Sequence, residues 1–125
     1  MGRPFIFAAL LLAVGCARGT RALPPIRSSD EVRVMKGGSE VARIADPDAV
    51  AKVVALVNHY PDGWGVPWYG PPVAEMTATF YSSGQVVGDF GIGDSFVTRT
   101  YGEFFSRRAD SEELAAMRLA LNHRP

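Results

Sequence analysis

Met76-Thr-Ala-Thr-Phe-Tyr-Ser-Ser-Gly-Gln-Val-Val-Gly-Asp-Phe-Gly-Ile-Gly-Asp-Ser-Phe-Val-Thr-Arg-Thr-Tyr101 alternates strand-like runs with turn pairs. Met76 to Tyr81 alternates, which places Met76, Ala78 and Phe80 on one side of a strand. Ser83-Gly84 is a turn pair. Gln85 to Ile92 predicts a second strand with Val86, Phe90 and Ile92 on one face, and Gly93-Asp94 turns the chain into a third strand over Ser95 to Tyr101. After Gly102, Glu103 to Arg107 is expected to add a short strand.

The flanks extend this meander. Upstream, Glu31-Val-Arg-Val-Met-Lys36 alternates, Gly37-Gly38 is a hairpin signal, and Glu40 to Ala45 reads as the return strand. Asp46 is suited to cap a helix whose first position is Pro47. Val50, Val53, Val54 and Val57 then fall on one stripe, and the helix is expected to end near Asn58 or His59, because Pro61 cannot continue it. Downstream, Asp110 with Glu113 forms a capping box for a last helix with Leu114, Met117 and Leu121 on its inner stripe. The expectation is an α+β fold: an antiparallel sheet of about five strands with helices packed on one face.

The 125 residues suffice for one domain, and 47% apolar with 21% charged residues is ordinary globular composition. Thirteen basic residues balance thirteen acidic ones, and the eleven arginines are scattered, so nothing suggests nucleic-acid binding. One cysteine allows no internal disulfide, so the 96 residues from Asp30 onward must be stable by packing alone.

The N-terminus carries a different signal. Arg3 is followed by an apolar run from Phe5 to Val14, too short to span a bilayer, which needs ~20 residues, but right for the apolar region of a signal peptide. Leu12-Ala13-Val14-Gly15-Cys16 then resembles the lipobox of bacterial lipoproteins, with Ala13 where that family most often has Leu. The resemblance implies that residues 1–15 are a signal peptide cut after Gly15. It implies that Cys16 carries the lipid and that the chain is anchored to the cell envelope. Ala17 rather than Asp after the cysteine favours, by the same analogy, an outer membrane facing the periplasm. The alternative is an ordinary secretory peptide cut after Ala17 or Ala22. Residues 16–29 read as a flexible tether reaching ~40 Å at ~3.3 Å per residue. Arg18, Arg21 and Arg27 either lie against anionic headgroups, at ~1 kcal/mol each, or keep the tether soluble. Residues 30–125 form the single domain.

The most unusual segment is Tyr60-Pro-Asp-Gly-Trp-Gly-Val-Pro-Trp-Tyr-Gly-Pro-Pro72, which holds both tryptophans. Loops this long are uncommon in compact domains and often carry function. Tyr60, Trp64, Trp68 and Tyr69 are candidates for a partner-binding surface, since Tyr and Trp give large contact area at low entropic cost. The alternative is that the tryptophans fold inward and complete a small core. Gly88-Asp-Phe-Gly-Ile-Gly-Asp94 has neither the third glycine and following helix of a dinucleotide loop nor the ligands of a calcium loop. Its glycines mark a bulge, a turn or a close approach.

His59 and His123 are the only histidines, without partners at metal-ligand spacing. His59 reads as a helix cap. No serine lies in a nucleophile elbow, and nothing in their spacing selects a catalytic pair among Glu75, Asp89 and Asp94. Arg107-Arg108, after Phe104-Phe105, reads as a solvated strand end. The expectation is a non-enzymatic envelope module with no cofactor and no metal, tethered to the membrane and binding an envelope protein. A glycan- or peptidoglycan-binding module is the next reading and a small hydrolase the third.

Overall fold

A computed structural model describes residues 19–67 and 72–122. Six strands follow the expected order: β1 (Glu31–Lys36), β2 (Ser39–Ile44), β3 (Met76–Ser82), β4 (Gln85–Ile92), β5 (Phe96–Tyr101) and β6 (Glu103–Arg108). They form one sheet in the order β2-β1-β3-β4-β5-β6 with every pair antiparallel. Helix α1 (Pro47–Val57) joins β2 to β3, and helix α2 (Ser111–Leu121) follows β6. The fold is α+β. The strand count is six rather than five because Glu103–Arg108 pairs with β5 along its whole length.

Local chemistry explains the elements. Gly37 and Gly38 both have positive φ, at 59° and 81°, which is the geometry of a two-residue hairpin matched to the strand twist. Ser83 and Gly84 repeat it at 51° and 79°. Ser83 bears a Cβ in the left-handed region, and its N–H donates to an Asp30 carboxylate oxygen at 2.8 Å, which holds the turn. Asp46 accepts from the Ala49 N–H at 2.9 Å and Asp110 from the Glu113 N–H at 2.8 Å, so both helices start on side-chain caps.

The core lies between the sheet and the helices. Val32, Val34, Ala78, Phe80, Phe90, Ile92, Val97 and Phe105 face Val50, Val53 and Val57 of α1 and Leu114, Met117 and Leu121 of α2. Val86, expected on the inner face, is exposed. Phe80 pairs with Gly88 but Tyr81 pairs with Val86, so Val87 is an extra residue, and this bulge turns Val86 to the opposite face.

A third component shares the helix side. The segment 19–29, expected as a tether, is packed into the domain. Leu23 and Ile26 are 4% exposed. The Leu23 N–H donates to the Pro61 carbonyl at 3.0 Å, and Asn58 holds the Ile26 backbone with two hydrogen bonds. Ile26 lies over Gly88, where an added Cβ would sit 3.1 Å from the isoleucine. The Pro24-Pro25 pair gives this strap an extended course, and its two apolar residues bury themselves where a solvated tether has none to bury. It crosses from the β6 side of the sheet to the start of β1.

Candidate functional site

The segment after α1 folds onto the edge of the sheet. Gly65 and Ser106 exchange both backbone hydrogen bonds, at 3.0 and 2.9 Å, which covers the outer edge of β6. Trp64 does the same with Arg21, at 2.8 and 3.1 Å. The β6 edge therefore carries two further extended segments, the second being the start of the strap. Edge strands invite wrong pairing unless covered, and here the aromatic segment covers one.

Of the four aromatics expected to contact a partner, the structure places two in the core. Trp64 is fully buried; its indole N–H donates to the Tyr60 carbonyl at 2.8 Å and its ring meets Phe90 edge-on at 6.2 Å. Tyr60 is 3% exposed. Neither can touch a partner in this conformation, and the inward-folding alternative describes them. The reason is core size: a domain this small gains more from burying an indole than from displaying it. Trp68 and Tyr69 lie outside the described residues, as does Cys16.

Three arginines stack on this aromatic cluster. Arg21 lies 5.1 Å from the centre of the Phe105 ring, Arg107 4.7 Å from that of Tyr60, and Arg99 5.9 Å from that of Trp64. Arg107 also donates to the Asp62 carbonyl at 2.7 Å, with the Asp62 carboxylate 3.7 Å away. It is thus folded over Tyr60 rather than standing in solvent as a strand end. Arg99 is 5% exposed, and its Nε has no hydrogen-bond partner among the described residues. Burial lowers its pKa, against the raising effect of Asp89. Nothing in the alternation of β5 flags this arginine, which occupies a core position that the pattern leaves to an apolar residue.

Two shallow grooves flank this edge. One, of about 470 Å³, is lined by Thr20, Ser95, Ser106, Arg107 and Arg108 among others. The other, of about 350 Å³, is lined by Gly19, Arg21, Trp64 and Phe105. Thr20, Gly65 and Val66 line both, and among the described residues no carboxylate lines either. Val66, 54% exposed, stands between them.

A smaller apolar cleft lies between the helices, lined by Leu56, His59, Tyr60, Glu112, Glu113 and Met117. His59 does not cap α1. Asn58 is the C-cap, its N–H donating to the Val54 carbonyl at 3.0 Å, and His59 contributes only its backbone N–H, which donates to the Leu56 carbonyl at 3.2 Å. The Tyr60 hydroxyl has no partner at bonding geometry among the described residues. Burial first, and the Glu113 carboxylate second, push its phenol above the ordinary tyrosine range.

The sheet face opposite the helices carries a polar row. Arg43, Arg33, Thr79, Asp89, Thr100 and Phe104 follow one another across all six strands, one residue from each. Arg33 stacks on Tyr81 at 4.3 Å and bonds Glu31 at 2.6 Å. Asp89 accepts from both the N–H and the hydroxyl of Thr100, at 2.8 and 2.9 Å. Glu75 instead faces Arg118 at 3.5 Å and Lys36 at 4.0 Å, so the carboxylates Glu75 and Asp89 have separate partners. Ala74 passes over Gly91, where an added Cβ would lie 2.9 Å from the alanine Cβ and would also strike the Thr98 hydroxyl. The glycines of this stretch thus mark close approach. Among the described residues no group of three His, Cys, Asp or Glu is placed to hold a metal, and no helix is long and apolar enough to cross a membrane. Comparison with protein families, with curated proteins and with solved structures returned no match.

Proposed function

We propose that this chain is a lipid-anchored accessory protein of a bacterial cell envelope. It is held through Cys16 at the outer membrane facing the periplasm, with a domain that binds an envelope protein. The observation that carries the reading is the position of the only cysteine, directly after Gly15 at the end of the apolar run Phe5 to Val14. An apolar run of ten residues is consumed by export rather than retained as a span. One acyl chain anchors only marginally, but two or three hold a protein at a membrane.

The binding role is supported by the polar row Arg43–Phe104. Helices and strap occupy the other side of the sheet, whereas on this side Ala74 lies over Gly91, and Val66, Pro67 and Pro72 border the end at Phe96 and Ser106. The pairs Arg33–Tyr81 and Asp89–Thr100 hold their side chains in fixed positions, so contact would immobilise little that is free. With Tyr60 and Trp64 in the core, the contact surface moves from the aromatic segment to this face.

The test is a pull-down from solubilised envelopes with the lipidated chain and with a Phe104→Ser/Arg33→Ala variant whose folding is checked by circular dichroism. One envelope protein enriched by the native chain and lost with the folded variant supports the reading. Equal capture by both removes the sheet face from it. Retention on purified peptidoglycan sacculi in place of a protein replaces it with the glycan-binding reading.

A further inference from the structure

The chain is fixed to the fold much earlier than a tether would be. Arg21 is paired through both backbone hydrogen bonds with Trp64, and Trp64 is fully buried. Cys16 lies five residues before Arg21. Five residues reach at most ~18 Å when fully extended, at ~3.3–3.6 Å each. The sheet itself is about 24 Å wide, from five strand intervals of ~4.8 Å. An anchor shorter than the body it holds keeps the edge where the chain emerges close to the membrane.

That edge has the chemistry of a headgroup-facing surface. It is the β6 side, where the two grooves meet. Arg21, Arg107 and Arg108 line them, no carboxylate among the described residues does, and the exposed Val66 stands between. Asp62 is the carboxylate in contact with this set, 3.7 Å from Arg107. Guanidinium groups bind phosphate oxygens in paired fashion, and an apolar side chain among them enters the boundary between headgroups and acyl chains. The opposite edge, β2, carries Glu40 bonded to Arg43 at 2.9 Å and the bulged residue Val41.

We infer that the β6 edge, where Arg21, Arg107 and Arg108 surround Val66, is the face held against the phosphate headgroups of the membrane that the Cys16 acyl chains enter. This orientation rests on the lipid-anchor reading. It points the β2 edge away from the bilayer and stands the sheet on its side, so that the polar row Arg43–Phe104 runs outward from the membrane, open to a partner.

The experiment uses the full lipidated chain in vesicles. Acylation of Cys16 consumes the only native thiol, so a fluorophore can be placed at a single new cysteine, Val66→Cys or Val41→Cys. Intact mass first establishes the acyl chains. In vesicles of phosphatidylethanolamine and phosphatidylglycerol containing a headgroup-nitroxide lipid, the Val66 label is expected to be quenched several-fold more than the Val41 label. Adding Arg21→Glu and Arg108→Glu is expected to reduce that contrast at least twofold. Equal quenching at the two positions on an acylated protein overturns the orientation and leaves the anchor intact. A Val66 label unquenched in pure lipid but shielded in native envelope membranes assigns the edge to a protein and also overturns it. Absence of the acyl mass overturns both anchor and orientation.

Discussion

The Asn58 side chain holds the Ile26 backbone from both sides: its Oδ1 accepts from the Ile26 N–H at 2.8 Å and its Nδ2 donates to the Ile26 carbonyl at 3.1 Å. A side-chain amide here does what a neighbouring strand would do, tying the strap to the residue that also caps α1. Asn58→Ala leaves both groups of Ile26 unmatched in a partly buried position and is expected to lower stability by ~1–3 kcal/mol. Asn58→Asp keeps the acceptor, loses the donor and sets a carboxylate against the Ile26 carbonyl, so it is expected to be no better than Ala. Urea unfolding of the two variants checks both statements.

The strap itself carries a sharper consequence. Leu23→Ala and Ile26→Ala remove fully packed side chains and are each expected to lower stability by ~2–5 kcal/mol. In a solvated tether the same changes would fall within ~0.5 kcal/mol of zero. Amide exchange adds a second measure: the Leu23 and Ile26 N–H groups are expected to be protected to nearly the same degree as the strands, since both are hydrogen-bonded.

Trp64 connects the strap, the β6 edge and the core. Trp64→Ala removes the indole packed on Phe90 and the bond to the Tyr60 carbonyl, and is expected to lower stability by ~3–5 kcal/mol. Loss of near-ultraviolet circular dichroism and release of the Arg21 N–H to exchange are expected to accompany it. A Trp64→Ala protein with native stability would place the indole outside the core.

Arg99 is buried, and its Nε has no partner among the described residues. Removing a buried charge that no carboxylate contacts relieves its desolvation, and a methionine of similar length keeps the packing against Trp64. Arg99→Met is therefore expected to be neutral or to raise the melting temperature. A loss of more than ~2 kcal/mol would show that the guanidinium has a bonded anionic partner.

The Tyr60 phenol gives a pH dependence. Its pKa is raised, by burial first and by Glu113 second. A group whose folded pKa lies above its unfolded value, about 10 for tyrosine, stabilises fully below that value and loses its contribution as pH rises through the folded pKa. Stability is expected to fall as the pH rises above ~10, and less steeply in Tyr60→Phe. Denaturation at neutral and alkaline pH, with tyrosinate absorbance followed in parallel, measures this. The same variant loses a hydroxyl that has no partner at bonding geometry among the described residues, so at neutral pH it is expected to be at least as stable as the native protein.

Much of the fold is legible in the chain. Gly37-Gly38 and Asp46-Pro47 carry their geometry in their chemistry, and the stripes Val50–Val57 and Leu114–Leu121 mark the helix faces that become buried. What escapes has physical reasons. The bulge at Val87 reverses the face of Val86, and alternation cannot show an inserted residue. Leu23 and Ile26 are only two apolar residues in an irregular, proline-containing stretch, so no period announces their burial. Trp64 and Tyr60 look alike on a surface and in a core, because the same ring area serves either. Arg99 is invisible to any reading that assigns charge to solvent. The site suffers most, since the arginines that stack on Phe105, Trp64 and Tyr60 come from the strap, β5 and β6, segments brought together only by folding.

The most direct test of the account is the intact mass of the protein purified from envelope membranes, with its N-terminal peptide sequenced. A lipid anchor at Cys16 requires a chain beginning at Cys16, heavier than its sequence by a diacylglyceryl group with or without a further amide-linked acyl chain, and a Cys16→Ser variant that is neither cut after Gly15 nor acylated. A chain beginning after Ala17 or Ala22, or one with an unmodified Cys16, would contradict it.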